Sequence, residues 1–257
     1  MVLPAEEGLL TTSSPRVLVA TAVPVERDAV ARAFTEPVTE VPLPGLPGLP
    51  GPAVHRTTGA VRYDLIAAGV GPALAAASTA TVLTAAALGG APYDLVVCAG
   101  IAGGFLPGAP VGSLVVADEI TAADLGAETG EGFLPVTELG FGTVTHHPPE
   151  ALVRGIVAAT GARAGTVLTG STVTGTAARA DVLRARHPRA LAEAMEGFGV
   201  AEAAAAHRVP VLEIRAVSNP VGPRDRAAWR IGDALAALTE GFGKLAPVLT
   251  SWNPHEP

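Results

Sequence analysis

Apolar and polar positions along this chain follow two alternating patterns. Short apolar runs predict buried β-strands over residues 16–22, 63–70, 94–100, 112–120, 164–170, 190–195 and 209–218. Amphipathic or alanine-rich stretches predict helices over residues 25–34, 73–88, 149–159, 176–186, 198–208 and 225–248. Strands that alternate with helices predict an α/β fold, a single domain with a largely parallel or mixed central β-sheet flanked by helices.

Four stretches break this pattern. Residues 41–52 are rich in proline and glycine and predict a surface connection. Residues 126–142 are rich in glycine and predict a long loop. Residues 1–15 are interpreted as a flexible leader and residues 251–257 as a tail. The predicted domain therefore covers residues 16–250.

The composition narrows the classes of partner. Of the 257 residues 49% are apolar, which is enough for a sizeable core, and the net charge of −7 offers no general attraction for nucleic acid or an anionic membrane. No apolar window reaches the roughly 18 residues of a membrane span, and the N-terminus lacks the basic start of a signal peptide. We therefore expect no nucleic-acid partner, no membrane association and a cytoplasmic location.

Side chains suited to redox or metal chemistry are few. Cys98 is the only cysteine and lies in an apolar run, so it is interpreted as a core thiol, which suits a reducing cytoplasm. His146 and His147 are adjacent, but no Asp, Glu or His cluster completes a ligand set around them. We therefore expect no metal site.

Polar residues at the ends of predicted strands are the candidates for chemistry, because ligands of α/β sheets bind beyond the carboxyl ends of strands. Glu26 follows the first strand, in the first turn of the helix that Pro24 is expected to start. A carboxylate there either stabilises the helix dipole or acts on a ligand. The glycine-rich turn predicted at residues 100–104 either packs tightly or lets a ligand approach the backbone.

Two further strand ends carry polar side chains. Glu196, after Met195, stands among apolar residues, where a carboxylate either caps the next helix or binds two sugar hydroxyls. Ser218 and Asn219 end the last predicted strand, and an asparagine followed by a proline is typical of a turn. Each signal is weak by itself, and their order and spacing carry more information.

Four segments, AVPVER, GIAGG, EAMEG and RAVSN, together resemble motifs of the superfamily of purine nucleoside phosphorylases and methylthioadenosine/S-adenosylhomocysteine nucleosidases. The resemblance runs from about residue 16 to residue 248 and implies a nucleoside phosphorylase-like, three-layer α/β/α fold. It also implies a small-molecule nucleoside substrate. Carried over to this sequence, the family's site residues are Glu26, Ile101, Ala102, Gly103, Met195, Glu196, Ser218 and Asn219.

One departure from the adenine-specific nucleosidases bears on the substrate. Where they carry an aspartate, this chain has Asn219. An amide can donate to O6 of a 6-oxopurine while its oxygen accepts the proton that N7 gains, whereas adenine presents a 6-amino donor. With MEGFGVA and SNPVGPRDRAAWRI, this asparagine makes the chain similar to the futalosine hydrolases, which release hypoxanthine and dehypoxanthine futalosine from futalosine in a pathway of menaquinone biosynthesis.

The resemblance implies a nucleosidase that needs no cofactor. In the mechanism that the resemblance implies, Glu26 is the general base for water and Asn219 holds the departing purine. Glu196 binds the cationic ribose, and Met195 forms an apolar floor beneath the sugar. Val173 falls where the nucleosidases place an aromatic residue, so stacking on the base comes from elsewhere or is weaker. The family also implies a homodimer or a larger homo-oligomer.

Futalosine carries a carboxylated aromatic ketone at C5′ of its ribose. Arg224 or Arg226 is a candidate to bind that carboxylate, because guanidinium groups bind carboxylates through two hydrogen bonds. The alternative is a pair with Asp225 within the chain or a network at the start of the last helix. Trp229 is expected in the core, packed from the last helix, and the alternative is that it stacks on the aromatic ring of futalosine. The alternative functions are phosphorolysis or hydrolysis of another purine nucleoside, such as inosine, guanosine or methylthioadenosine, and a nucleoside sensor without chemistry.

Overall fold

The computed structural model describes residues 15–43, 51–59 and 61–252 of the chain. Most of the predicted leader, of the proline- and glycine-rich connection and of the predicted tail lie outside these residues. The described residues form twelve strands and six α-helices, and these include all seven predicted strands and all six predicted helices. The α/β class is therefore confirmed.

The bounds of the elements are as follows. The strands are β1 (Arg16–Thr21), β2 (Thr39–Val41), β3 (Val54–Arg56), β4 (Arg62–Ala67), β5 (Leu95–Gly104), β6 (Leu114–Ala122), β7 (Gly126–Thr129), β8 (Gly132–Pro135), β9 (Thr145–His146), β10 (Arg163–Thr169), β11 (Ala190–Ala194) and β12 (Val211–Pro220). The helices are α1 (Pro24–Ala31), α2 (Pro72–Leu88), α3 (Glu150–Thr160), α4 (Ala177–Arg186), α5 (Gly197–Ala206) and α6 (Ile231–Ser251).

One mixed sheet organises the fold. Its strands lie in the order β11-β10-β6-β12-β5-β1-β4-β3-β2, with β9 attached to β6. Strands β1, β4, β5 and β12 run parallel to one another, and β6, β10 and β11 run in the opposite direction. Because β11 also pairs with the last residues of β5, the strands β5, β12, β6, β10 and β11 close into a ring. The prediction of a mixed central sheet is confirmed.

Helices cover both faces of the sheet and complete the three layers. Helices α2 and α5 pack against one face, and α1, α3 and α6 pack against the other. Small side chains let α2 and α5 approach closely: a Cβ added to Gly199 would lie 2.0 Å from the carbonyl oxygen of Pro72. Among the described residues, no helix combines the length and the apolar character that crossing a bilayer requires.

Two segments predicted to be irregular are regular in the structure. Residues 100–104 form the second half of β5 rather than a turn, because Gly103 pairs with Glu193 of β11 on one side and with Asn219 of β12 on the other. Pairing on both sides overrides the poor intrinsic strand propensity of glycine. The long loop predicted at residues 126–142 contains the hairpin of β7 and β8.

The segment after β12 also differs from the prediction. Asn219 is still part of the strand, and the chain bends only at residues 221–223, so the predicted Asn-Pro turn is wrong. The last helix begins at Ile231 instead of residue 225, because a short 3-10 helix, Arg226–Ala228, comes first. The side chain of Asp225 caps this 3-10 helix by accepting the N–H of Ala227.

Candidate active site

Glu26 lies in the first turn of α1, directly after β1. Its buried carboxylate accepts hydrogen bonds from the backbone N–H groups of Ala22 and Val23, at 3.0 and 3.3 Å, through Oε2. Its Oε1 accepts the N–H of Ile101 on β5, at 2.8 Å. Pro24 begins the helix and places Glu26 at its third position, within the first turn, where the carboxylate can reach both sets of N–H groups. One oxygen stabilises the helix start and the other reaches across to β5.

The glycines of β5 make room for this arrangement. A Cβ added to Gly100 would lie 2.7 Å from Oε1 of Glu26 and 2.8 Å from a guanidinium nitrogen of Arg215. A side chain at position 100 would therefore displace one of these two groups. The next residue, Ile101, donates its N–H to Glu26, and its carbonyl oxygen accepts from Arg215 at 3.4 Å.

Arg215 is a central residue of the site that sequence reasoning did not single out. It is 1% exposed, its Nε donates to Glu213 at 2.8 Å, and one terminal nitrogen lies 3.2 Å from the carboxylate of Glu196. The same nitrogen donates to the sulfur of Cys98 at 3.1 Å. The sequence does carry a signal for it, because Glu213 and Arg215 are oppositely charged and stand two positions apart in an apolar strand. That spacing puts both side chains on one face of the sheet.

Glu213 is fully buried beneath the start of α5. A Cβ added to Gly197 would lie 2.1 Å from a carboxylate oxygen of Glu213, so glycine at this position lets the carboxylate fit. Its Oε2 has no hydrogen-bond partner in the part of the chain that the structure describes. Burial raises the pKa of Glu213, and the charge and hydrogen bond of Arg215 oppose that rise.

Glu196 lies immediately before α5 but does not cap that helix through its side chain. Its carboxylate, 5% exposed, accepts the N–H of Gly71 at 3.3 Å, at the start of α2, and lies 3.4 Å from the backbone nitrogen of Met195. The capping alternative is therefore wrong for α5. Met195 is half-buried beside it.

These side chains form one charged group, the carboxylate cluster, which consists of Glu26, Glu196 and Glu213 around Arg215. Burial raises the pKa of Glu26; Arg215 and the N–H of Ile101 oppose the rise, and the charge of Glu196 adds to it. With the three carboxylates ionised, a single guanidinium does not balance them. A positive charge that develops beside this cluster would be stabilised.

Ser218 and Asn219 lie next to β5 because of an irregularity in β12. The register between β12 and β5 shifts between Val217 and Asn219, so Ser218 is an extra residue, as in a β-bulge. The hydroxyl of Ser218 lies 3.3 Å from the carbonyl oxygen of Ala102 and 2.9 Å from Oδ1 of Asn219. The bulge leaves Ser218 buried and Asn219 half-buried, with the amide oriented by the serine.

A cavity opens where Asn219 meets β5. It is bounded by residues from four segments, and Glu193 and Thr174 are lining residues that the sequence did not indicate. Trp229 is half-buried and lines the same cavity, so its expected place in the core is wrong. The cavity is lined by Gly103, Val173, Thr174, Glu193, Asn219, Pro220, Val221, Gly222, Pro223, Arg224 and Trp229.

The two candidate arginines are exposed and lie beside the tryptophan. The guanidinium carbons of Arg224 and Arg226 lie 5.2 and 5.8 Å from the ring centroid of Trp229, within the range of cation–π contact. Neither arginine forms an ion pair with a carboxylate among the residues described, and Asp225 is engaged with the backbone instead. The alternative of an Asp225 pair is therefore wrong.

The predicted site residues thus converge on one short stretch of β5. Ile101 contacts Glu26, Ala102 contacts Ser218, and Gly103 pairs with Asn219. Arg215 connects this stretch to Glu196. Met195, Glu196 and Arg226 do not line the cavity, and Glu196 reaches this stretch only through Arg215. Within residues 15–43, 51–59 and 61–252, no three Asp, Glu, His or Cys side chains are grouped to hold a metal ion.

The fold is shared with solved structures of two kinds of enzyme. The structure of a 5′-methylthioadenosine/S-adenosylhomocysteine nucleosidase from Helicobacter pylori superposes with a TM-score of 0.77 at 15% identity, over 91% of this chain and 99% of the other. The structure of a futalosine hydrolase from the same organism superposes with a TM-score of 0.76 at 16% identity, over 91% and 98%. Because both kinds of enzyme share this fold, the fold alone does not show which purine base is released.

Sequence similarity is more specific than the fold. The family described as the phosphorylase superfamily matches residues 16–248. A futalosine hydrolase of Streptomyces coelicolor is 76% identical over 93% of this chain and 99% of its own length, and one of Acidothermus cellulolyticus is 43% identical over 90% and 91%. Since these matches cover nearly the whole chain and the site described above, the protein belongs to the phosphorylase superfamily and, within it, to the futalosine hydrolase family.

Proposed function

We propose that this protein hydrolyses the N-ribosidic bond of futalosine and releases hypoxanthine and dehypoxanthine futalosine, in menaquinone biosynthesis. The observation that carries the proposal is the position of Asn219, whose side chain is held by Ser218 at the edge of the cavity. Asn219 pairs with β5, and the same strand also contacts the carboxylate cluster. The 76% identity to a protein named futalosine hydrolase supports the same substrate.

The leaving group is a 6-oxopurine bound by Asn219. The hydroxyl of Ser218 lies 2.9 Å from Oδ1 and so orients the amide, whose NH₂ donates to O6 of the purine. As the bond to the ribose breaks, N7 of the departing base takes up a proton from water, and the amide oxygen accepts a hydrogen bond from the resulting N7–H. Trp229, Val173 and Val221 supply apolar walls for the ring. Trp229 takes the stacking role for which position 173 offers only a valine.

The ribose lies over the carboxylate cluster. Cleavage of an N-ribosidic bond passes through an oxocarbenium-like state, whose positive charge the cluster stabilises. Glu196 binds the ribose hydroxyls and Met195 packs beneath the sugar. Arg215 holds Glu196 in place, because it lies 3.2 Å from that carboxylate and is itself anchored on Glu213.

Glu26 is the general base that activates water. Burial raises its pKa, and a base whose pKa lies closer to neutral accepts a proton more readily while still being ionised. The N–H groups of Ala22, Val23 and Ile101 fix the direction of the carboxylate. General base catalysis by such a group contributes about 10²- to 10⁴-fold to the rate.

The charge balance of the site favours hydrolysis over phosphorolysis. An attacking phosphate needs cations or several free N–H donors around it. The guanidinium at the centre of the site, Arg215, is already bonded to Glu213 and lies beside Glu196. A phosphate would face three carboxylates, so water is the nucleophile that this site accommodates.

The carboxylate at C5′ of futalosine is bound by Arg224 or Arg226. Both guanidinium groups are exposed, neither is engaged by a carboxylate among the described residues, and Arg224 lines the cavity of Asn219. Replacing each by alanine should lower kcat/KM for futalosine about 10-fold or more and leave inosine unaffected, because inosine has no such carboxylate. An unchanged preference for futalosine over inosine in both variants would contradict this assignment.

The protein is further proposed to work in the cytoplasm as a homodimer or larger homo-oligomer. Exposed apolar side chains at Val70, Leu74 and Leu125 surround the start of the alanine-rich helix α2 and offer an apolar face to a second copy. Because the N–H of Gly71 in this region donates to Glu196, a neighbouring subunit would lie close to the ribose site. Analytical ultracentrifugation of the purified protein tests the state of association.

The decisive experiment is base release, measured with and without phosphate. Futalosine should release hypoxanthine at a rate that phosphate does not change, and methylthioadenosine should release little adenine. Sites built on such hydrogen-bond matching discriminate by about 10⁴-fold. Faster cleavage of methylthioadenosine than of futalosine would overturn the substrate, and dependence on phosphate would overturn hydrolysis. Lack of base release from every 6-oxopurine nucleoside would favour a sensor instead.

A further inference from the structure

Glu213 is a charged residue of the site that does not face the space open to a ligand. It lies on β12, two positions before Arg215, so both side chains point to the same face of the sheet. It is 0% exposed, and its Oε1 accepts the Nε–H of Arg215 at 2.8 Å. Gly197 leaves room for the carboxylate beneath the start of α5. Glu213 is therefore placed to act on Arg215 and not on a ligand.

Every nitrogen of the Arg215 guanidinium has an acceptor. Nε donates to Glu213, and Nη2 donates to the sulfur of Cys98 at 3.1 Å and lies 3.2 Å from Oε2 of Glu196. Nη1 donates to the carbonyl oxygen of Ile101 at 3.4 Å, which is the longest of these contacts. Two carboxylates therefore hold two of the nitrogens, and Nη1 is the nitrogen that is held most weakly.

Glu26 lies beside Nη1 of Arg215 without forming an ion pair with it. A Cβ added to Gly100 would lie 2.7 Å from Oε1 of Glu26 and 2.8 Å from Nη1, so both atoms lie close to the same point. The ion pairs of Arg215 are nevertheless formed with Glu196 and Glu213. The titratable groups that face the guanidinium are Cys98 on β5, Glu213 on β12, Glu196 before α5 and Glu26 on α1. Two of the three carboxylates bind the guanidinium, and the general base does not.

A direct bond between Arg215 and Glu26 would impair the general base. A cation close to a carboxyl group lowers its pKa by about 1–3. Burial raises the pKa of Glu26, and the charge of Arg215 is the largest of the influences that oppose this rise. A bond from Nη1 would lower that pKa further and would take up a lone pair of Oε1 that water would otherwise use. Glu26 therefore remains an effective base as long as the guanidinium is bonded elsewhere.

We propose that Glu213 is a positioning residue, which holds the guanidinium of Arg215 away from Glu26 and so keeps Glu26 free to accept a proton from water. The proposal rests on the function proposed above and adds a residue that touches neither the nucleoside nor the water. The charge of Glu213 matters, because a hydrogen bond to an ionised acceptor is about twice as strong as one between neutral groups. Gly197 belongs to the same arrangement, since a Cβ there would lie 2.1 Å from the carboxylate.

The first test is the pH dependence of Glu213→Gln. The substitution keeps the shape of the side chain and removes its charge, so Glu26 becomes the stronger partner for the guanidinium. The acid limb of kcat/KM for futalosine should move to lower pH by about one unit or more, because a paired carboxyl group has a lower pKa. The plateau above the limb should fall at least roughly 10-fold, since a paired base accepts a proton less readily. Glu240→Gln on α6, an exposed carboxylate outside the site, is the matched control and should change neither value.

A double-mutant cycle with Arg215→Gln separates positioning from two other roles. If Glu213 acts through Arg215, adding Glu213→Gln to Arg215→Gln should leave the acid limb where Arg215→Gln alone puts it. A shift of equal size with and without Arg215 means that the charge of Glu213 acts on Glu26 directly, and this result overturns the proposal. A lower melting temperature of Glu213→Gln with an acid limb that stays in place means that Glu213 is only structural, and this result overturns it as well.

A titration of Glu26 needs no substrate and so separates this proposal from the proposed function. NMR of carboxyl-labelled protein follows the side chain of Glu26, which is identified as the signal missing from Glu26→Gln. Its pKa should be lower in Glu213→Gln than in wild type by about 1 or more. An unchanged pKa overturns the role of Glu213 even if futalosine is cleaved. A lowered pKa in a protein that does not cleave futalosine supports the role of Glu213 and overturns the proposed substrate.

Discussion

Two buried ionic clusters lie near opposite ends of β1, and their charge balances are opposite. Where β1 begins, Arg16 and Arg56 converge on Asp64, which we call the Asp64 cluster. Beyond its other end, the three carboxylates of the carboxylate cluster share Arg215. The same kinds of side chain therefore occur twice, once with guanidinium groups in excess and once with carboxylates in excess.

The carboxylate of the Asp64 cluster is satisfied by hydrogen bonds from its neighbours, although Nε and Nη1 of Arg16 have no partner among the described residues. Asp64 is fully buried and accepts two bonds from Arg56, both at 2.7 Å, one from Arg16 at 3.3 Å and one from the hydroxyl of Tyr93 at 2.6 Å. Burial alone would raise the pKa of Asp64, but the hydrogen bonds from Arg56 and Tyr93 and the charges of both arginines lower it. Asp64 is held ionised and has a structural role.

The carboxylate cluster has the reverse character. Burial raises the pKa of both Glu26 and Glu213, and Oε2 of Glu213 has no partner among the described residues. An excess of buried negative charge is unfavourable in the free protein and favourable when a cation develops beside it. The comparison teaches that the ratio of charges, rather than burial itself, separates a stabilising cluster from a reactive one.

The largest expected effect is on catalysis, from Glu26→Gln. The substitution removes the general base, so kcat for hypoxanthine release should fall about 10²- to 10⁴-fold, while the shape of the side chain and the fold are kept. Steady-state assays on futalosine measure this. Full activity of Glu26→Gln would show that Glu26 is not the general base. The carboxylate cluster would then have no more part in catalysis than the Asp64 cluster.

The second prediction concerns stability and uses Asp64→Asn. Without the carboxylate two partly buried guanidinium groups lose their counter-ion. The free energy of unfolding should therefore fall by about 3 kcal/mol, the lower end for a broken buried pair, with kcat per folded molecule unchanged. Because the pKa of Asp64 is lowered in the folded state, its contribution is present above the ordinary pKa and is lost as pH falls through the lowered value. Urea unfolding at several pH values should show this loss in wild type only.

A smaller effect is expected from Gly197→Ala. The new methyl group would lie 2.1 Å from a carboxylate oxygen of Glu213, so Arg215 and Glu213 must shift and stability should fall by about 1–3 kcal/mol. Gly243→Ala is the matched control. No atom lies within 4 Å of its added Cβ, and it lies inside α6, where alanine should stabilise by about 0.5–1 kcal/mol. Equal changes in both variants would contradict the close fit at Gly197.

The smallest expected effect is a shift of the pH profile in Arg215→Gln. The charge of Arg215 opposes the rise in the pKa of Glu26, so its removal should raise that pKa further. Because the base must be ionised, the acid limb of kcat/KM should move to higher pH, whatever activity remains. Arg56→Gln, in the Asp64 cluster, should leave the limb in place. If the limb does not move in Arg215→Gln, the charge of Arg215 does not influence the pKa of Glu26.

The alternation of apolar strands and amphipathic helices was sufficient to predict the class of fold, because that pattern reflects burial on both faces of a sheet. It was not sufficient for glycine-rich segments. Residues 100–104 became strand only because β11 and β12 pair with them from both sides. Trp229 was expected in the core and instead lines the cavity, since α6 begins only at Ile231.

The sequence by itself determined the kinds of side chain at each strand end, including Glu26, Glu196 and Asn219, because strand ends and turns leave a local signature. Only the tertiary structure decided which of them meet and with what charge. Arg215 and Glu213 are two polar residues in an apolar strand until β5 and α5 enclose them. Glu193 and Asn219 line one cavity only because β11 and β12 both pair with Gly103. Such contacts depend on sheet closure between strands distant in the chain, which local pattern does not encode.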